Sequence, residues 1–136
     1  MKQLKWTMVV ALALLIVLLG SYVRFVPQSY FAETGEIEVY RVVQNKDGER
    51  LEITQGVDRA ALSECLPLLQ CRRYRTPFAP YAQSKVEYEI DGVCGEESFH
   101  IVLGDINFIY ESAEKGGYEI TRSDAWLKIM ELVSSQ

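Results

Sequence analysis

His100 is the chain's only histidine, and Cys65, Cys71 and Cys94 are its only thiols. A Ser-His-Asp relay would have to run through His100, because the imidazole takes the nucleophile's proton. No Gly-x-Ser-x-Gly turn accompanies it, and such a strained turn is what exposes the serine in one large hydrolase class. His100 alternates with Phe99 and Ile101, which predicts a half-exposed strand histidine on the sheet face opposite theirs. The three thiols and His100 could formally hold zinc, but their C-x5-C and C-x5-H spacings lack the short knuckle of structural zinc sites. A Cys71–Cys94 disulfide is the better use of two of them, since both fall near element ends and an oxidising compartment would favour it. The odd count then leaves Cys65 free, on the apolar face of a helix. Glu87 with Glu89, and Glu96 with Glu97, read as solvated faces of strands and a turn, since a glycosidase pair must meet across a cleft. The chain has no Gly-rich phosphate loop, EF-hand or dinucleotide fingerprint. The expectation is a protein without catalytic residues, metal or cofactor.

One group of residues has the composition of an interface. Arg72, Arg73 and Arg75, interleaved with Tyr74, Phe78 and Tyr81, form the single basic patch of an otherwise acidic region. Guanidinium forks and aromatic faces are what interfaces use. The stretch from Arg72 to Gln83 carries two prolines and no period, so it reads as a long loop, the usual carrier of binding residues.

Charge narrows the partners. The region from Glu33 onward holds 11 of the 14 basic residues and all 19 acidic ones, a net of −8. Nucleic-acid binding depends on neutralising phosphates, so such a domain is a poor candidate for it. An anionic lipid surface would also repel it as a whole.

These residues need a place and a scaffold. From Trp6 to Val23 the chain has no charged residue, a run that can cross a hydrocarbon core of about 30 Å as a helix. Trp6 at one end, and Tyr22 and Tyr30 at the other, suit an interfacial aromatic belt. Lys2 and Lys5 precede the run and only Arg24 closely follows it. The positive-inside rule therefore places residues 1–5 in the cytoplasm and the C-terminal part outside. The apolar run exceeds that of an ordinary signal peptide, and small residues are missing where cleavage would need them: Tyr30 would precede a cut after Ala32, and Leu18 a cut after Gly20. Leu18-Leu19-Gly20-Ser21 has a serine where a lipoprotein box needs its cysteine. Residues 6–26 are therefore expected to be an uncleaved signal anchor in the cell membrane, ended by Pro27, with 27–35 a linker and 36–136 one folded domain.

Within the domain, EIEVYRVV and RLEIT flank a turn at Asn45–Gly48, which predicts a hairpin. Ile37, Val39 and Arg41 fall on one side of the first strand, and Glu38, Tyr40 and Val42 on the other. Asp58 caps a helix with Leu62, Cys65, Leu66 and Leu69 on its apolar face, disturbed by Pro67. KVEYEID alternates as a half-buried strand, with Asp91-Gly92 opening a turn. Phe99–Leu103, Ile106–Tyr110 and Tyr118–Ile120 continue a meander. Thr121 or Ser123 caps a last helix with a Trp126, Leu127, Met130 and Val133 stripe. The fold class is α+β: a transmembrane helix, then a β-hairpin, helix, antiparallel meander and C-terminal helix.

The strand EIEVYRVV, the helix VDRAALSECLPLL, the tyrosine-containing strand YEIT and the final helix DAWLKIMELV together resemble small extracytoplasmic α+β domains of Gram-positive bacteria, anchored by a lipid or one helix. Such domains are largely of unknown function, so the resemblance implies fold and location and no active site. The functional expectation is a membrane-anchored binding or accessory module with a protein partner outside the membrane. The alternative is an inhibitor or immunity-type protein whose acidic surface would suit a basic secreted enzyme.

Overall fold

The computed structural model describes residues 2–25, 27–31, 35–74, 85–112 and 116–135. An apolar helix, α1 (Lys2–Phe25), opens the chain. Its stretch Lys2–Tyr22 is long and apolar enough to cross a membrane and is nowhere buried against the rest of the protein. The remaining order is β1 (Gln28–Ser29), β2 (Ile37–Lys46), β3 (Glu49–Glu52), α2 (Arg59–Cys65), a 3-10 turn (Leu66–Leu68), β4 (Gln70–Tyr74), β5 (Val86–Cys94), β6 (Glu97–Gly104), β7 (Phe108–Ser112), β8 (Gly116–Ile120) and α3 (Asp124–Ser134).

The strands form one antiparallel sheet in the order β1-β4-β8-β7-β6-β5-β2-β3. The hairpin and the meander come from local signals. Asp47 and Gly48 both take positive φ, 53° and 82°, the pairing that a tight hairpin turn with native twist requires. Asp58 Oδ1 accepts the Ala61 amide at 3.0 Å and starts α2. Pro67 cannot donate to a continuing helix, so the last turn tightens into the 3-10 segment. Ser123 Oγ accepts the Trp126 amide at 3.3 Å and caps α3.

Four expectations are corrected. Arg72–Tyr74 are not loop: they belong to β4, which pairs with β8 at the end of the sheet remote from the hairpin. Asp91-Gly92 does not turn but lies inside β5, and the turn comes at Gly95, whose φ is 63°. Strict alternation fails in β2, where a bulge between Val39 and Arg41 puts Val39 and Val42 both on the core side. The α3 stripe is led by Ile129 and Val133, whereas Leu127 is 58% exposed.

The core lies between one sheet face and α2 with α3, with Leu62, Leu66, Ile90, Ile101, Ile109, Ile129 and Val133 at its centre. The stretch expected to be a linker takes part in it. Gln28 and Ser29 pair with Cys71 and Gln70, and Phe31 is 5% exposed. Its ring meets Phe99 edge-on at 5.0 Å between centroids. Gly92 makes this contact feasible: a methyl there would collide with the Phe99 ring and the Glu38 carbonyl. Phe31→Ala should therefore cost about 3–5 kcal/mol, the usual range for emptying a buried phenyl site. Urea unfolding of the full-length protein in detergent, followed by near-ultraviolet dichroism, checks this.

Candidate functional site

The face of the sheet turned away from the helices carries an assembled set of charges. Register places Arg41, Asp91, His100 and Tyr110 opposite one another on β2, β5, β6 and β7. Asp91 is buried although charged. Its Oδ2 accepts from Arg41 Nε at 2.7 Å and Nη2 at 2.6 Å. Its Oδ1 lies 2.5 Å from His100 Nδ1. On the other side of the ring, His100 Nε2 is 3.7 Å from Glu89 Oε1. Glu89 Oε2 in turn accepts from Asn45 Nδ2 at 2.9 Å and pairs with Arg50 at 3.0 Å. The hydrogen bond and the charge of Asp91 raise the Arg41 guanidinium above its ordinary value.

The bulge in β2 has a part in this assembly. Without it, simple alternation would place Arg41 on the same side as Val39. With it, Arg41 stands opposite Asp91. A two-residue step along β5 then separates Asp91 from Glu89 on the same face. The imidazole is thus held between two carboxylates, with each nitrogen facing an acceptor. The Asp91 contact fixes the orientation of the ring.

Beside the charges lies a buried apolar row. Val43, Val102 and Phe108 are buried on this same face, apart from the helix-side core. Register aligns them with Glu89 in one row, Val43–Glu89–Val102–Phe108. Phe108 fits because its neighbour Gly117 has no side chain: a methyl there would meet the phenyl ring and the Ile109 carbonyl. Arg41 and Arg50, with side chains 46% and 60% exposed, stand above this row. Each guanidinium has five N–H donors, and the ion pairs engage only part of them.

The residues singled out in the sequence are distributed differently. Arg72 and Arg73 stand exposed on β4, with Arg73 stacked 5.6 Å from the Tyr118 ring centroid. Tyr74 ends β4. Arg75, Phe78 and Tyr81 lie outside the described residues. Cys71 and Cys94 are not brought together: β8, β7 and β6 separate their strands, and all three thiols are free. A disulfide needs Cα atoms about 4.4–6.8 Å apart. Cys65 packs partly buried against the core. His100 faces away from Phe99 and Ile101, as alternation implies, so it does not join the cysteines. Glu89 is no solvated strand carboxylate: its side chain is only 15% exposed, because Asn45, Arg50 and His100 surround it. Sequence reading missed the Arg41–Asp91–His100–Glu89 set. The signal available was the Glu89-x-Asp91 spacing on a strand; its partners come from three other strands.

No family model matches this chain, and no curated protein or solved structure is significantly similar to it.

Two outcomes follow from the geometry. Asp91 holds both Arg41 and His100, whereas Glu89 is reached by its partners at the more exposed end. Asp91→Asn should lower the urea midpoint more than Glu89→Gln, with the backbone fold retained in amide spectra. The second concerns Cys71, whose burial pushes its thiol from 9.0 up to about 12. Above pH 9 the unfolded chain releases this proton and the folded chain keeps it, so stability must fall with pH between about 9 and 12. The loss is at most roughly 4 kcal/mol, and a Cys71→Ala variant should show a correspondingly shallower decline over the same window. Urea midpoints taken across that range for both proteins test it.

Proposed function

We propose that this protein is a single-pass membrane protein whose α+β domain is held outside the cytoplasm as a binding or accessory module. The observation that carries the reading is the junction: the exposed apolar helix α1 ends three positions before β1 of the sheet begins and six before Phe31 of the core. Cleavage after Ala32 would strip β1 and Phe31 from the domain, which supports retention of the helix as an anchor. The charge layout, with Lys2 and Lys5 before the helix, supports an external domain.

The binding surface in this reading is the sheet face opposite the helices. Exposed, only partly engaged arginines stand on this face, and guanidinium groups are among the side chains that protein interfaces favour. The exposed Tyr40 on β2 extends it. The inhibitor alternative rests on the acidic balance of the domain and requires a basic target.

Two measurements in intact cells test the proposal together. Alkaline phosphatase fused to the C terminus should be active, reporting an external domain. A photo-cross-linking residue at Ser98, exposed on β6, should yield a discrete adduct, and one at Leu127, exposed on α3, should not. An inactive fusion would overturn the location. Equal adducts from both positions, or none from Ser98, would overturn the binding face.

A further inference from the structure

β1 fixes which part of the sheet lies beside the exit of α1. Its pairing with β4 is antiparallel, with Ser29 opposite Gln70 and Gln28 opposite Cys71. β4 therefore runs back toward the end of the apolar helix, and α1 and β4 are in contact. Two exposed arginines are thus placed where the chain leaves its apolar segment.

Register puts Arg72 on the open sheet face, level with Glu119 and Phe108, and Arg73 on the other face with Tyr118, so the two straddle the end of the sheet. Arg41 and Arg50 are engaged by Asp91 and Glu89. Arg73 is backed instead by aromatic rings: its Nη1 donates to Tyr118 Oη at 3.3 Å, and Tyr118 packs on Tyr30 at 4.8 Å between centroids. Glu119 stands opposite Arg72 in the register, and among the described residues the arginines in ion pairs are Arg41 and Arg50. Tyrosines beside the end of an apolar helix suit the headgroup level of a bilayer, where an apolar ring and a polar tip are both accommodated. A guanidinium at that level faces lipid phosphates, which match its donor fork in charge and geometry.

We infer that Arg72 and Arg73 form a headgroup clamp, binding the phosphates of the lipid leaflet from which α1 emerges, with Tyr30 and Tyr118 as its interfacial backing. This rests on the reading of α1 as a membrane span. The domain's net charge of −8 confines attraction for anionic lipid to such a local cationic edge, so the clamp gives the domain one preferred contact with its own membrane. The residues that composition alone assigns to a protein partner are thereby assigned to lipid.

The test uses the full-length protein with its arginine guanidinium carbons labelled with 13C, reconstituted into bilayers of phosphatidylcholine and phosphatidylglycerol in equal parts. Solid-state carbon–phosphorus dephasing reads the approach of arginine to lipid phosphate, and amide exchange across α1 is measured on the same sample. In an Arg24→Gln background, which removes the arginine beside the apolar run, the clamp predicts dephasing that is largely lost on adding Arg72→Gln/Arg73→Gln and retained on adding Arg50→Gln, with α1 amides protected throughout. Equal dephasing with and without the Arg72→Gln/Arg73→Gln pair in that background, with α1 protected, would overturn the clamp and leave the span standing. Unprotected α1 amides would overturn the span and the clamp with it. Because both arginines are exposed, an unchanged amide fingerprint in the double variant identifies loss of contact rather than loss of fold.

Discussion

Phe31 enters the core only six residues after the last residue of α1, and the remaining architecture depends on that short reach. The phenyl ring needs Phe99 beside it, Phe99 needs the vacant side-chain position of Gly92, and β1 must pair with β4 for the chain to arrive there. Apolar burial and backbone pairing thus act on the same few residues. An edge of the sheet is tied to the helix exit without a long tether, so the end of α1 and the β1–β4 edge stay together.

The sheet resolves a second constraint. With α2 and α3 packed on one face, the other face carries whatever polarity the strands present, and antiparallel sheets tolerate that well. Here the strands present carboxylates, arginines and a histidine near a buried apolar row. Burying Asp91 would be costly without partners. Two Arg41 nitrogens and His100 Nδ1 supply them. The result is a preorganised face, since its charged side chains constrain one another. Specific recognition gains from such preorganisation because fewer rotamers remain to be fixed on binding.

The two arginine groups illustrate how one side-chain chemistry takes on different roles in different surroundings. On the open face Arg41 and Arg50 are tied to carboxylates and serve the architecture. On β4, Arg73 rests on the Tyr118 ring and Arg72 stands exposed opposite Glu119. Net charge alone, strongly acidic for the domain, does not reveal either arrangement.

Local signals made much of the fold legible. The uncharged run Trp6–Val23, the Asp47-Gly48 turn, the Asp58 and Ser123 caps and the alternation in β5 and β6 each act through neighbours close in sequence. Length, periodicity and capping chemistry are therefore enough to read them. The sequence by itself thus determined the apolar helix, the hairpin, both amphipathic helices and the α+β class, and it placed His100 opposite Phe99. Only the tertiary structure decided that β4 crosses to pair with β8, that the supposed linker supplies a strand and a core phenylalanine, that the β2 bulge brings Arg41 to Asp91, and that Cys71 and Cys94 lie on separated strands. Those outcomes depend on pairings between residues tens of positions apart. Strand neighbours are selected by the packing of the whole sheet, and no local pattern encodes which distant strand a given edge will meet.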